Sequence, residues 1–306
     1  MILDMPSNPP APLISVVLPA FNCATYLPQA IDSILSQTMG DFELLVIYDE
    51  STDQTRDIIE SYMAKDRRVH IVQGQRARLV GALNQGIKEA KGKYIARMDA
   101  DDVSLPTRFE KQIEVMEISG LDFCGCDIVM IDGAGQFIKE VAMPKTADLI
   151  ASTLACTVPF AHGSVMMRKQ FLDERDLRYQ AGASAEDYDF WCQAYALGAH
   201  FGNVSMPLFH YRHFSQSLSK VHAKVVNQHT QIIRRNFVQK NALSLQLAIS
   251  KIVPVQKQLN QRDEGFLLLA AYLLYRENQS TLVIDVVKRA RLKNLVIAIV
   301  KILRGF

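Results

Sequence analysis

Apolar and polar positions follow two alternating periods along the N-terminal part of the chain. Ile14, Val16, Val17 and Leu18 form a run of β-branched and apolar residues, the mark of a buried strand. Pro19 cannot donate to a sheet ladder, so the strand is expected to end there. Residues 26–38 then carry Leu27, Ala30, Ile31, Ile34 and Leu35 at helical spacing. Residues 42–48 read as a second strand, followed by a helix from about Gln54, and residues 69–72 as a third strand. Residues 79–91 place Leu83, Ile87 and Ala90 on one helical face, and residues 94–98 return to a strand. Strands alternating with helices predict an α/β fold with a mostly parallel sheet covered on both faces. Beyond about Ser219 the pattern is helical only, over residues 221–240, 243–259, 263–276 and 282–303, with Pro254 expected to interrupt the second helix. The chain therefore divides into a proline-rich flexible lead-in (1–12), an α/β domain (13–219) and a C-terminal helical region (220–306).

In open parallel sheets, ligands bind beyond the carboxyl ends of the strands. Asn22, Asp49 and Asp99 each fall just past such an end. The segment from Arg97 to Asp102 sets Asp99, Asp101 and Asp102 within four residues. Carboxylates this close repel one another unless a cation joins them. Asp99 and Asp101 share one face of an extended chain, and hard oxygen ligands suit Mg²⁺ or Mn²⁺. The alternative is an acidic turn in which Asp102 or Ser104 caps a helix from about Leu105. Neither G-x-G-x-x-G nor G-x-x-x-x-G-K-[ST] occurs in the chain, which weakens a nicotinamide dehydrogenase and a P-loop NTPase alike.

Composition adds little. The 306 residues are 49% hydrophobic and 22% charged, with a net charge of +2, which describes an ordinary globule and gives no argument for nucleic acid. Five cysteines without zinc spacing fit reduced thiols in a cytoplasm, with Cys124 and Cys126 on a buried strand. The N-terminus lacks a basic, apolar leader, and no apolar run is long enough to span a bilayer.

Six segments occur in order: residues 16–22 (VVLPAFN), 49–53 (DESTD), 82–87 (ALNQGI), 92–102 (GKYIARMDADD), 162–168 (HGSVMMR) and 186–191 (EDYDFW). Together they resemble the family 2 glycosyltransferases of the GT-A fold, over roughly residues 13–219. The resemblance implies inverting transfer of a sugar from a nucleotide-sugar, most often a UDP-sugar, with a divalent metal, Mn or Mg, on the D-x-D segment. It implies that Pro19, Ala20 and Phe21 lie along the nucleobase, with Asn22 in the same turn. Asp49 would accept from the base edge, Asp99 would face the ribose and Asp101 would meet the metal. Asp187 would deprotonate the acceptor hydroxyl, and Arg78 would contact base or phosphate. His213 is the expected further metal or diphosphate ligand, with His210 as its rival.

The chain departs from that pattern in places. Glu50 stands where the family often has glycine, and Tyr48 where it often has an acid, so Tyr48 is read as a packing residue. His213 comes one place early in the run Tyr211-Arg212-His213. The Q-x-x-R-W signature of processive synthases is missing, which favours single addition. Asp187 next to Glu186 also fits a helix N-cap, which would lower its pKa, while Glu186 would raise it. His162 is read either as a ligand contact or as locally bonded, and residues 173–185 as a lid. The basic, apolar last helix suggests peripheral membrane contact at the inner face of the membrane, or packing against the domain or a second subunit. The acceptor implied is a glycan or a lipid-linked sugar of the cell surface. The competing class is a non-catalytic nucleotide-sugar-binding or scaffold protein of the same fold.

Overall fold

The structure, a computed structural model, describes residues 11–75, 78–182, 185–214, 223–278 and 281–303. Most of the expected lead-in lies outside these residues. The first half alternates as expected: β1 (Ile14–Ala20), α1 (Leu27–Leu35), β2 (Phe42–Tyr48), α2 (Thr55–Met63), β3 (Val69–Gln73), α3 (Arg78–Glu89) and β4 (Tyr94–Arg97). These four strands run parallel in the order β3-β2-β1-β4. Beyond β4 the sheet continues through β8 (Met166–Arg168), β6 (Phe123–Ile131) and β9 (Phe201–Arg212) to β5 (Val103–Ser104), with β7 (Phe137–Val141) beside β6. β8 is antiparallel to both its neighbours, and β6 and β9 run parallel.

Strand alternation sorts the core into two layers. Val16 and Leu18 of β1 point into a cluster with Leu27, Ile31 and Phe109. Val17 points the other way, with Leu45, Leu83, Ile95 and Trp191. Helix α3 approaches β1 closely through Gly86, where an added Cβ would lie 2.2 Å from Val17 Cγ1.

One expectation is corrected at Pro19. β1 continues through Pro19 to Ala20, in register with Ile47 and Tyr48 of β2. β4 leaves β1 after Val17, so at Pro19 the strand has one neighbour, and a missing N–H is tolerated as on an edge.

The remaining helices are α4 (Arg108–Ser119), α5 (Ala147–Leu154), α6 (Lys169–Glu174), α7 (Glu186–Ala196), α8 (Ala223–Lys240), α9 (Ala242–Ile252), α10 (Gln261–Asn278), α11 (Leu282–Arg289) and α12 (Leu292–Leu303). Pro254 interrupts the chain after α9 as expected, in a 3-10 turn over Val253–Gln258. The expected single helix over 282–303 is broken in two. At the break, Arg291 donates from its backbone N (2.9 Å) and its Nε (2.6 Å) to the buried Glu264 of α10. Asn294 adds a third bond to that carboxylate at 2.5 Å. Burial alone would raise the Glu264 pKa, but these donors outweigh it and the net direction is down. Leu245, Ile249, Leu267 and Leu274 join the same apolar cluster as Trp191 and Val17, so the helical region shares the core of the sheet domain.

Gly86→Val would drive two methyl groups into Val17. The expected loss is about 1–3 kcal/mol of stability, read as a lower midpoint in urea or heat.

Candidate active site

The carboxyl ends of the parallel strands form one edge, and its turns are tied together. Asn22 adopts a left-handed backbone (φ 47°), which asparagine tolerates better than most residues. Its Oδ1 accepts from Thr52 N at 2.8 Å, and its own N donates to Ser51 Oγ at 3.0 Å. Asn22 thus braces the turn after β1 against the turn after β2. Asp49 N donates to Ala20 O at 3.1 Å, bringing Asp49 beside the Pro19–Ala20 segment, with Phe21 exposed next to it. Gly74, just past β3, makes room for Asp49: an added Cβ would lie 2.8 Å from Asp49 Cγ. Tyr48 is buried, as a packing residue should be, and its hydroxyl accepts from Ser51 N at 3.1 Å. Arg78 is exposed at the head of α3 with φ 55°; the two residues before it lie outside the described ones.

The acidic segment joins the end of β4 to β5, which pairs with His210 and Phe209 of β9 at the far edge of the sheet. That crossing gathers Asp99, Asp101 and Asp102, which offer oxygens within 4.8 Å of one another. Among the described residues this is the His, Cys, Asp and Glu group with metal-ligand proximity, and neither His213 nor His210 belongs to it. His213 follows β9, its N–H bonded to Ile131 O at 2.8 Å.

Asp102 is not a helix cap. α4 begins later, at Arg108, and its N-cap Thr107 makes no side-chain capping bond. Asp102 is instead buried, with Oδ1 accepting from Arg212 N at 2.7 Å and Oδ2 left without a hydrogen-bond partner. Burial, and then the charge of Asp101, push its pKa well up; burial also raises Asp101. An orphaned buried carboxylate oxygen beside two further acids is the donor set a hard divalent cation requires.

Two arginines organise the cluster. Arg212 is buried and spans the site: Nε donates to Asp101 O at 2.7 Å, Nη1 to Asp132 O and Gly133 O at 3.1 and 3.2 Å, and Nη2 to Gln29 Oε1 at 2.7 Å. Arg97 is only 2% exposed. Its Nη1 meets Asp99 Oδ2 as an ion pair without hydrogen-bond geometry, and its Nε has no hydrogen-bond partner among the described residues. Burial lowers the Arg97 pKa, while Tyr179, Asp102, Asp101 and Asp187 act to raise it. The fields of the metal-type acids and of Asp187 therefore converge on one guanidinium. Gly163 leaves space there, since an added Cβ would stand 2.9 Å from Asp99 Oδ2 and 3.1 Å from Arg97 Nη1.

Asp187 lies in the first turn of α7, with Ala185 rather than Asp187 at the N-cap position. Its half-buried carboxylate accepts from Tyr188 N at 2.7 Å. Burial, and then the charge of Glu186, raise its pKa to about 6. Desolvation thus outweighs the lowering expected of a helix N-terminus. The wall beside it is built by Tyr179, stacked on Phe190 with ring centroids 4.0 Å apart. The Tyr179 hydroxyl lies 2.8 Å from His162 Nε2, so His162 is locally bonded. Burial, and then Arg97, push the His162 pKa well down, which keeps it neutral. Asn84 of α3 holds the Tyr179 backbone at both ends, donating to its O at 2.8 Å and accepting from its N at 2.9 Å. The segment read as a lid is therefore anchored at Tyr179. A hollow of about 480 Å³ lined by Leu13, Gly92, Lys93 and Lys169 lies at the opposite edge, where β1 and β4 begin.

Sequence alone assigns no role to Arg97, Arg212 or Tyr179. Arg97 was legible only as a charge inside the apolar run Ile95, Ala96, Met98, and Arg212 only as part of a motif. Nothing near Tyr179 in sequence points to His162 or Asn84.

A parallel-edged sheet carrying an acid cluster at its strand ends is the arrangement expected of a GT-A-type glycosyltransferase. The profile described as Glycosyl transferase family 2 matches residues 15–176, and the chain belongs to that family. It is 35% identical to "O-antigen biosynthesis glycosyltransferase WbnJ" of Escherichia coli, over 68% of this chain and 82% of that protein. In fold it is similar to S. aureus TarS 1-349 in complex with UDP-GlcNAc, with a TM-score of 0.57 and 20% identity, covering 89% of this chain and 88% of that one. It is also similar to the mannosyltransferase PcManGT from Pyrobaculum calidifontis in complex with GDP-Man and Mn2+, with a TM-score of 0.54 and 16% identity, covering 93% and 87%.

Arg212→Met would leave the carbonyls of Asp101, Asp132 and Gly133 without this donor. Unpaired buried polar groups cost about 1–3 kcal/mol each. The expected result is a lower unfolding midpoint together with weaker stabilisation by added Mn²⁺.

Proposed function

We propose that this glycosyltransferase moves a sugar from a nucleoside-diphosphate sugar to a hydroxyl of a glycan or lipid-linked acceptor, with inversion, in cell-surface polysaccharide assembly. The observation that carries the reading is the cluster of Asp99, Asp101 and Asp102 just past the end of β4, with oxygens within 4.8 Å of one another. WbnJ, named for O-antigen biosynthesis, supports the pathway class. The UDP-GlcNAc of the TarS structure favours a UDP-sugar as donor over the GDP-sugar of PcManGT. The proposed place of work is the cytoplasm, at the inner face of the membrane; no described helix is long and apolar enough to cross one.

Pro19, Ala20 and Phe21 form the ledge for the nucleobase, and Asp49 accepts from its edge. Asn22 fixes the ledge against the neighbouring turn, and Arg78, exposed at the head of α3, is assigned to base or phosphate. Asp99, held by Arg97, faces the ribose. Asp101 and Asp102 would hold Mn²⁺ or Mg²⁺, and His213, which follows β9 and lies outside their group, is assigned to the diphosphate. When bound, such an ion supplies charge neutralisation to the departing diphosphate.

An alcohol is a weak nucleophile until a base takes its proton. Asp187 performs that step. It receives the hydroxyl proton as the acceptor oxygen attacks the anomeric carbon from the face opposite the leaving diphosphate, so the configuration inverts. A pKa of about 6 suits the task, because the carboxylate is mostly ionised at neutral pH yet more basic than an ordinary aspartate. Neutral His162 and the stacked Tyr179–Phe190 pair keep the base beside a largely apolar wall.

Asp187→Asn is expected to lower transfer at least about a hundredfold, measured as nucleoside diphosphate release, while nucleotide-sugar affinity by calorimetry stays within a few-fold. Comparable turnover in the variant would remove Asp187 from the role. A raised pKa moves the acid limb of the rate profile upward. kcat/KM should therefore climb about tenfold per pH unit below a midpoint near 6 and level off above it; a midpoint near 4 would contradict the assignment.

A further inference from the structure

The last two helices hold a surface that the transfer reaction does not use. Glu264 fixes the elbow between α11 and α12 through Arg291 and Asn294, so both helices present defined faces. Their inner sides are buried at Val286, Asn294 and Ala298. Their outer sides are not: Val296 is 52% exposed, Ile299 45% and Val300 40%, and Ile284 and Val287 are also exposed. Apart from Lys293, Asn294 and Lys301, α12 is apolar on its outer side as well as its inner one, and an apolar face belongs in an apolar surrounding, yet the described residues pack against one side only. After the exposed Asp285 of α11 the charge of this stretch has one sign. Between Val286 and Leu303 the sequence holds Lys288, Arg289, Arg291, Lys293 and Lys301, and no acidic residue.

We propose that the outer face of α11 and α12 rests on an anionic lipid bilayer. Val296, Ile299 and Val300 enter the boundary between headgroups and acyl chains, and Lys288, Arg289 and Lys293 meet lipid phosphates, while Arg291 stays with Glu264. At 12 residues, α12 is too short to span a bilayer but can lie in its plane. Charge decides between a bilayer and a second copy of the chain. A two-fold pairing of this face would set one strip holding Lys288, Arg289, Lys293 and Lys301 against another, with Asp285 the one acid of α11 and α12 to oppose them, whereas each basic side chain near an anionic surface gains about 1 kcal/mol. This inference is independent of the donor, the metal and the base assigned above, so its test reads lipid binding and not transfer.

The full-length chain is sedimented with vesicles of phosphatidylcholine alone and with phosphatidylglycerol added, at low and high salt. Binding is expected only to the phosphatidylglycerol vesicles, with a decrease at high salt. The double variant Val296→Glu, Val300→Glu changes exposed positions only and should keep the parent melting temperature, yet lose at least about tenfold in vesicle affinity. Lys288→Ala with Lys293→Ala should weaken binding in the same direction. Absence of the parent from the vesicle pellet, or equal binding by parent and glutamate variant, overturns the proposal. A dimer seen by light scattering that the glutamate variant dissolves also overturns it, in favour of a second copy on this face.

Discussion

A single buried guanidinium sets the terms for the site. Arg97 is almost sealed from solvent, and its charge is held against Asp99 while Asp101, Asp102 and Asp187 act on it from around. A buried charge is costly unless opposite charge is near. Three carboxylates gathered within 4.8 Å are costly for the same reason with the sign reversed. Each is therefore the condition for the other. The shared cation also gives the acid cluster and the proposed base a common electrostatic reference before any donor arrives.

The topology makes this meeting unavoidable. β4 delivers Arg97 at its end, the chain passes through the acids, and β5 fastens to β9 on the other side of the sheet. β9 then returns Arg212 to the cluster, where its side chain bonds three separate segments, at Asp101, at Asp132 and Gly133, and at Gln29. Residues remote in sequence share the site because two strands far apart in the chain flank the same turn.

The parallel half of the sheet was legible in sequence because its strands are short apolar runs and its helices are amphipathic, two periods that do not imitate each other. Asp49, Asp99 and Asp101 were legible because position at a strand's end is a local property. Arg97 and Arg212 were not, since their meaning comes from pairing across β4, β8 and β9, which no local pattern encodes. Asp102 looked like a cap for the same reason: only the return of β9 shows which N–H it accepts from. The single helix read over 282–303 failed at Ala290 because Glu264, remote in sequence, captures the backbone of Arg291.

Asn84 carries a quieter consequence. Its primary amide meets the peptide group of Tyr179 as a neighbouring strand would, with a donor and an acceptor side by side. A rung of sheet has in effect been lent by a helix, and α3 is itself seated on β1 through Gly86. The wall beside Asp187 is thereby referenced, through α3, to β1 in the parallel half of the sheet.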